Sequence, residues 1–258
     1  MRRTIPWITA VLATAHAAAA IAAECRVASG PGTAALVELY TSEGCSSCPP
    51  ADRWLSAFAK TPRDASVVPI AFHVQYWDSL GWKDRFGDPR YTDRQEAEGK
   101  LNGARFVYTP QVVLGGHDFP GWHSDGSFAA AVDAIHRRHA RATIEIASHP
   151  GPNGGVAGTV SATLDPALPP AHLALVIAAT QDGLSSRVNA GENRGERLAH
   201  DFVTRDLATS SVGAGKTTRE FAFAPQPGSD PTRTSITAFL QDTKTGEVIQ
   251  ALAATPCP

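Results

Sequence analysis

The stretch EGCSSCPP, residues 43–50, comes shortly after the apolar run AALVELY and directly before ADRWLSAFA, whose apolar residues recur at helical spacing. That order requires a strand, a tight turn and a helix. It also puts two of the chain's four cysteines, Cys45 and Cys48, on the turn. Pro49 and Pro50 constrain the geometry further. Each proline disfavours helical backbone in the residue before it, whereas proline suits the first helical turn. The helix is therefore expected to begin at about Pro49 or Pro50, with Cys45 ahead of it.

Two cysteines spaced C-x-x-C between a strand and a helix suit thiol–disulfide exchange. A helix N-terminus carries unsatisfied N–H groups and a partial positive charge, which stabilise a thiolate on the first cysteine. Only a thiolate attacks, so Cys45 is the expected nucleophile and Cys48 the resolving thiol, with no metal or cofactor required. Because the prolines move the helix start past Cys48, Cys45 is expected to be less acidified than the cysteine of a strong oxidase. Three other readings stay open. A zinc knuckle needs further Cys or His ligands, and a second C-x-x-C is absent. A copper(I) site can use two thiolates alone, which would make the chain a non-catalytic binding protein. The pair is also a candidate for a short structural crosslink.

The N-terminus bears on this choice. Arg2 and Arg3 precede an uncharged stretch rich in alanine that ends in small residues around Ala20, Ala22 and Ala23, the pattern of a secretory signal peptide over residues 1–23. A membrane anchor needs a longer, more strongly apolar run, and this one is interrupted by Pro6 and His16. The mature chain is thus expected to be exported to a periplasmic or extracellular space, without a membrane anchor, where disulfides persist. If Cys45 and Cys48 pair with each other, Cys25 and Cys257 remain to form a staple between the two ends of the mature chain. The net charge of −2 shows no basic excess, which argues against a nucleic-acid partner. Protein or small-molecule thiols and disulfides fit better, and nothing in the pattern sets an oligomeric state.

Composition shifts at SHPGPNGG, residues 148–155, a Pro/Gly cluster expected to link two units. Residues 24–147 alternate apolar runs (AALVELY, SVVPIAFHV) with helical patterns (ADRWLSAFA, DPRYTDRQEAEGKL, DGSFAAAVDAIHRRHA), and two short strands are expected to flank Pro110. This alternation predicts an α/β layered unit. From ATIEIAS onward the chain carries seven strand-like segments separated by turn residues. Residues 156–258 are therefore expected to form a small, all-β, sandwich-like unit.

Four stretches, LVELYTSEGCSSCPPAD, VPIAFHVQYWDSLGWKDRF, YTPQVVLGG and GENRGERLAH, resemble the exported bacterial family called domain of unknown function 1223, within the thioredoxin-like superfamily. The resemblance implies a thioredoxin-like domain followed by a β-rich C-terminal domain. It also implies that Thr109 and Pro110 form a cis-proline loop facing the cysteine pair, where a substrate segment would add as a strand.

Other motifs each admit a functional and a plainer reading. Tyr76 and Trp77, in an aromatic cluster with His73, Trp82 and Phe86 at a strand end, either border a peptide-binding groove or cover the sheet. Asp78 is a candidate proton relay to the thiol. Glu192, Asn193, Arg194 and His200 make a functional loop if GENRGERLAH folds back on Cys45, and otherwise a self-bonded turn. His117, His123, His136 and His139 complete no ligand set by spacing. SVGAGKTTRE is not a phosphate loop, because Ser210 stands where its first glycine is needed. A non-reducing peptide map of the mature protein should show Cys45 joined to Cys48 and Cys25 to Cys257, and a peptide joining Cys25 to Cys45 or Cys48 would exclude that pairing.

Overall fold

The computed structural model describes residues 24–60, 65–124 and 126–255. The expected signal peptide lies outside the described residues, as does Cys257 of the expected Cys25–Cys257 staple.

β1 (Cys25–Ala28) and β2 (Ala35–Thr41) lead into α1 (Pro49–Ser56), and β3 (Val67–His73) is followed by α2 (Pro89–Leu101). β4 (Gln111–Leu114) and β5 (His117–Asp118) then precede α3 (Ser127–His136). The remaining strands are β6 (Ala142–Pro150), β7 (Val156–Leu164), β8 (Leu173–Gln181), β9 (Leu184–Arg187), β10 (Arg197–His200), β11 (Val203–Ser211), β12 (Lys216–Phe223), β13 (Thr234–Asp242) and β14 (Val248–Ala254). Asp88 caps α2 by accepting from the Arg90 N–H. The expected strand ahead of Pro110 does not form, and only β4, after it, is extended and paired.

Eight strands make one sheet in the order β14-β13-β8-β11-β3-β2-β4-β5, and four make a second in the order β1-β6-β7-β12. β9 and β10 pair as a separate ribbon. β2 and β3 are parallel, Ala35 opposite Val67 through Thr41 opposite His73. β2 is buried along its whole length because the sheet is covered on both sides. Ala35, Val37 and Leu39 pack with Ala51 and Leu55 of α1 and Val132 of α3. Leu36 and Tyr40, on the opposite face, pack with Phe72, Tyr91 of α2 and Phe239 of β13. A further core fills the space between the two sheets, where Ile144, Ile146 and Val160 meet Leu175, Ile177, Ile236 and Leu240.

Residues 148–155 are not a linker between separate units. They comprise the end of β6 and a 3-10 turn at Pro152–Gly154, with Pro150 paired to Val156 across the hairpin. Asn153 and Gly154 take φ of 57° and 82°, the left-handed region that reverses the chain, so a composition that reads as a linker builds a hairpin. Both sheets draw strands from both sides of this point. Cys25 of β1 pairs with Ser148 of β6, and Val203 of β11 pairs in parallel with Ala71 of β3. The expected division at 24–147 and 156–258 therefore does not separate the sheets.

Glu38 fastens α2 onto the sheet. Fully buried on β2, its carboxylate accepts from Tyr40 Oη at 3.1 Å and from Arg94 Nε at 2.8 Å. Arg94 also donates to Gln241 Oε1 at 3.0 Å, and Gln241 donates to Glu98 Oε1 at 2.9 Å, so α2, β2 and β13 share one polar network. Burial, and then the Glu38 charge, push the Glu98 carboxyl up to about 7. Arg94→Met strands the Glu38 charge and should cost about 3–5 kcal/mol in urea denaturation. Folded Glu98 holds its proton more tightly than the unfolded chain does. Its contribution therefore falls as the pH rises from its ordinary value of 4.5 through about 7, and Glu98→Gln should flatten that decline.

Candidate functional site

Cys45 and Cys48 are joined as a disulfide, with Cα atoms 5.4 Å apart, on the turn between β2 and α1. The turn is held by the Cys45 N–H donating to the Ser42 carbonyl at 3.1 Å and the Cys48 N–H donating to the Cys45 carbonyl at 3.2 Å. α1 begins at Pro49, and Cys48, its N-cap residue, already has helical dihedrals (φ −77°, ψ −35°) in spite of the proline that follows. This start limits what the helix offers sulfur. Pro49 and Pro50 have no N–H, and the next two, of Ala51 and Asp52, both donate to the Cys48 carbonyl at 2.9 and 3.1 Å. The thiols would feel the helix dipole without direct N–H donors from its first turn.

On either side of the two cysteines in sequence, Glu43 and Asp52 join Asp84, His73 and His200 in a cluster of three carboxyl groups and two imidazoles, all buried. Asp84 is its centre. One carboxylate oxygen accepts from the Glu43 N–H at 2.8 Å and lies 2.7 Å from His73 Nδ1, while the other accepts from the Phe86 N–H at 2.9 Å. Asp52, in the first turn of α1, accepts from Thr41 Oγ1 at 2.8 Å. His200 lies between Glu43 and Asp52, its Nε2 3.3 Å from Glu43 Oε1 and its Nδ1 3.9 Å from Asp52 Oδ2. The two imidazoles meet edge to face with centroids 4.9 Å apart, and Phe86 packs on both.

Burial raises the Asp52 carboxyl above its ordinary range, and the two histidines offset this only in part. Burial also acts on Glu43 and Asp84, but is outweighed there. Contact with His200 brings Glu43 below its ordinary range, and His73 together with the backbone N–H groups brings Asp84 below its own. For His73 the loss of solvent disfavours the charged ring, and the Asp84 carboxylate more than reverses that, so its pKa is raised.

GENRGERLAH does fold back on the cysteines. Between β9 and β10, Asn193 Nδ2 donates to the carbonyls of Glu43 and Cys45, both at 2.9 Å, and Glu192 accepts from the Ser46 N–H at 3.0 Å. Gly191 has φ 73°, and a Cβ there would come within 3.1 Å of Trp82 Cβ, so this tight apposition requires glycine. Trp82 in turn donates to Glu43 Oε2 at 2.9 Å. Under this cover both Cys45 and Cys48 are wholly buried.

Trp77 connects the cysteine turn to the proline loop. Its Cβ lies 3.0 Å from where a Cβ on Gly44 would stand, and its Nε1 donates to Thr109 Oγ1 at 2.8 Å, next to a cis Thr109–Pro110 bond. Tyr76 stands at the same loop, its ring 6.4 Å from that of Trp77 and its hydroxyl donating to Gln95 Oε1 at 3.3 Å, and Gln95 holds the Tyr108 carbonyl and Gln111. Asp78 does not reach the cysteines as a relay. It accepts from the Asp84 N–H at 3.1 Å, and so positions the buried acid instead of serving as one. Glu43 and Asp52 match no motif in the sequence. The available signal was their spacing, Glu43 two residues before Cys45 and Asp52 one helical turn after Cys48.

Residues 36–241, a span that contains all of these groups, match the model of a family described as "Protein of unknown function (DUF1223)". The chain is similar to the crystal structure of protein AGR_C_4864 from Agrobacterium tumefaciens, with a TM-score of 0.64 and 22% identity over 89% of this chain and 97% of that one. It is also similar to HBP35 of Porphyromonas gingivalis, with a TM-score of 0.64 and 16% identity over 88% of this chain and 76% of that one. At these identities the likeness is one of fold. No curated protein matches the chain.

The His73–Asp84 pair sets a pH window for stability. Because the folded pKa of His73 is raised, its contribution is complete below the ordinary value of 6.5 and is lost as the pH rises through the raised value. Asp84, whose pKa is lowered, contributes above 3.8 and loses its effect on acidification. His73→Gln should remove part of the decline in denaturation free energy as the pH rises above the ordinary histidine value of 6.5. Asp84→Asn should cost about 3–5 kcal/mol near pH 6.

Proposed function

Starting from the chain's membership of the DUF1223 family, we propose that it is an exported thiol–disulfide oxidoreductase of thioredoxin-like build, in which Cys45 exchanges with substrate and Cys48 resolves. The observation that carries this reading is a C-x-x-C disulfide on a strand-to-helix turn, flanked by Glu43 and Asp52 of a buried cluster of acids and imidazoles. Support for export comes from the charged and then apolar N-terminus together with the disulfide. The proline loop beside Trp77, carrying Thr109 and Pro110, would shape the substrate face.

In the oxidised state a substrate thiolate attacks Cys45 Sγ, the Cys45–Cys48 bond breaks, and Cys48 leaves as a thiolate. A second substrate thiolate attacks the mixed disulfide, forming the substrate disulfide and releasing Cys45. Two electrons and two protons pass from two substrate thiols to the cysteine pair. Asp52 follows Cys48 by one turn on the same face of α1, and its raised carboxyl suits it to give the leaving thiolate a proton. The absence of free N–H groups at the helix start supports a modestly stabilised thiolate. Substrate reaches the buried sulfur of Cys45 when the Glu192–Asn193 cover lifts, with Gly191 and Gly195, both at positive φ, flanking it.

The complete burial of both cysteines favours a second reading, a crosslink that only braces the turn in a non-catalytic binding protein. The two readings diverge in exchange experiments. For an oxidoreductase, Cys48→Ser accumulates mixed disulfides with exported proteins through Cys45, and Asn193→Ala speeds reduction of the wild-type pair by small thiols several-fold. A pair with a potential below about −300 mV and no trapped partners would establish the structural crosslink instead.

A further inference from the structure

Arg205, on β11, is a half-buried cation without a carboxylate partner among the described residues. Its Nη2 donates to the Pro227 carbonyl at 3.0 Å, while Nη1 is buried with no hydrogen-bond partner among the described residues. The acids nearby are committed elsewhere. Arg90 holds both Asp206 and Asp88 at 2.8 Å. A second cation, Arg85, stands close by and donates to the Ser185 carbonyl at 2.9 Å. Both guanidiniums lie over the Phe86 ring, Arg85 at 4.5 Å and Arg205 at 5.1 Å from its centroid. Burial, and then repulsion from Arg85, weaken the hold of Arg205 on its charge. The hydroxyl of Thr204 is likewise buried and without a partner among the described residues.

These groups line a cavity of about 340 Å³ that also includes Gln226, Pro227 and Asp88. Arg205 and Gln226 belong as well to the wall of a second cavity of about 240 Å³, lined by Val156, Phe223, Pro225 and Ile236. One cavity thus offers two cations, and the other is mainly apolar, with Asp206, already held by Arg90, and His149 also on its wall. A half-buried guanidinium without an acid partner attracts an anion, and a carboxylate is a strong acceptor for its N–H groups. An adjoining apolar space rewards a hydrocarbon body on the same ligand.

We propose that these neighbouring cavities, which share Arg205 and Gln226, bind an organic carboxylate with a short aliphatic body, its head group on Arg205 and Arg85 and its chain in the mainly apolar cavity. The site stands on observations separate from the cysteine pair and does not require the redox reading.

The test titrates the full oxidised protein with hexanoate, acetate and inorganic phosphate by calorimetry at fixed ionic strength. Hexanoate is expected to bind saturably and at least tenfold more tightly than acetate or phosphate. Arg205→Gln should weaken hexanoate at least tenfold, and Arg85→Gln, an exposed change that leaves the core intact, several-fold. Circular dichroism shows whether each variant is folded, and Arg85→Gln alone decides the matter if Arg205→Gln is not. The proposal is overturned if hexanoate shows no saturable binding up to about 10 mM. It also fails if folded variants bind hexanoate as the wild type does, or if phosphate binds more tightly than hexanoate.

Discussion

The Asp84 carboxylate is the contact on which the cysteine turn depends. Its two oxygens take the Glu43 N–H, the His73 ring and the Phe86 N–H. They thereby join the chain entering the C-x-x-C turn to the end of β3 and to the aromatic loop. A carboxylate this deeply buried survives only because every strong bond it needs is present, including a cationic partner. His73 brings His200 with it through an edge-to-face contact, and His200 reaches back to Glu43 and Asp52 on either side of the cysteines. The turn thus rests on a closed ring of polar groups inside an otherwise apolar core.

A ring of this kind gives the motif chemical character at the cost of constraint. Three carboxyl groups near two thiols oppose thiolate formation, and the two prolines withdraw the N–H donors that would favour it. Dipole, acids and imidazoles work against each other at one turn. The cover formed by Asn193 and Glu192 adds a steric term, because it bonds to the backbone of the motif itself. These features describe a disulfide that is guarded instead of freely offered, as befits a selective exchange centre or a brace.

The elements of the first half were legible because each rests on local physics. Pro49 and Pro50 start α1, Asp88 caps α2, and the largely apolar run of β2, interrupted by Glu38, announces a strand. The linker was misread for an equally local reason. A Pro/Gly cluster is the same signal whether it ends a domain or turns a hairpin, and only the pairing of Pro150 with Val156 distinguishes them. Asp78 and Asp84 look alike in sequence, six residues apart in a polar loop, yet it is Asp84 that is sealed inside.

The sequence alone determined the strand–turn–helix around CSSC, the strand content of the second half and the family to which the chain belongs. Spacing, proline geometry and period-2 alternation act over a few residues and need no knowledge of the rest. Tertiary structure decided that both halves share one eight-stranded sheet, that Asn193 returns to Cys45 and His200 to Glu43 from about 150 residues away, and that Arg205 and Arg85 share the Phe86 ring. Those pairings join segments distant in the chain, and their energies depend on burial and on which charges are already matched, quantities that exist only once the core has closed.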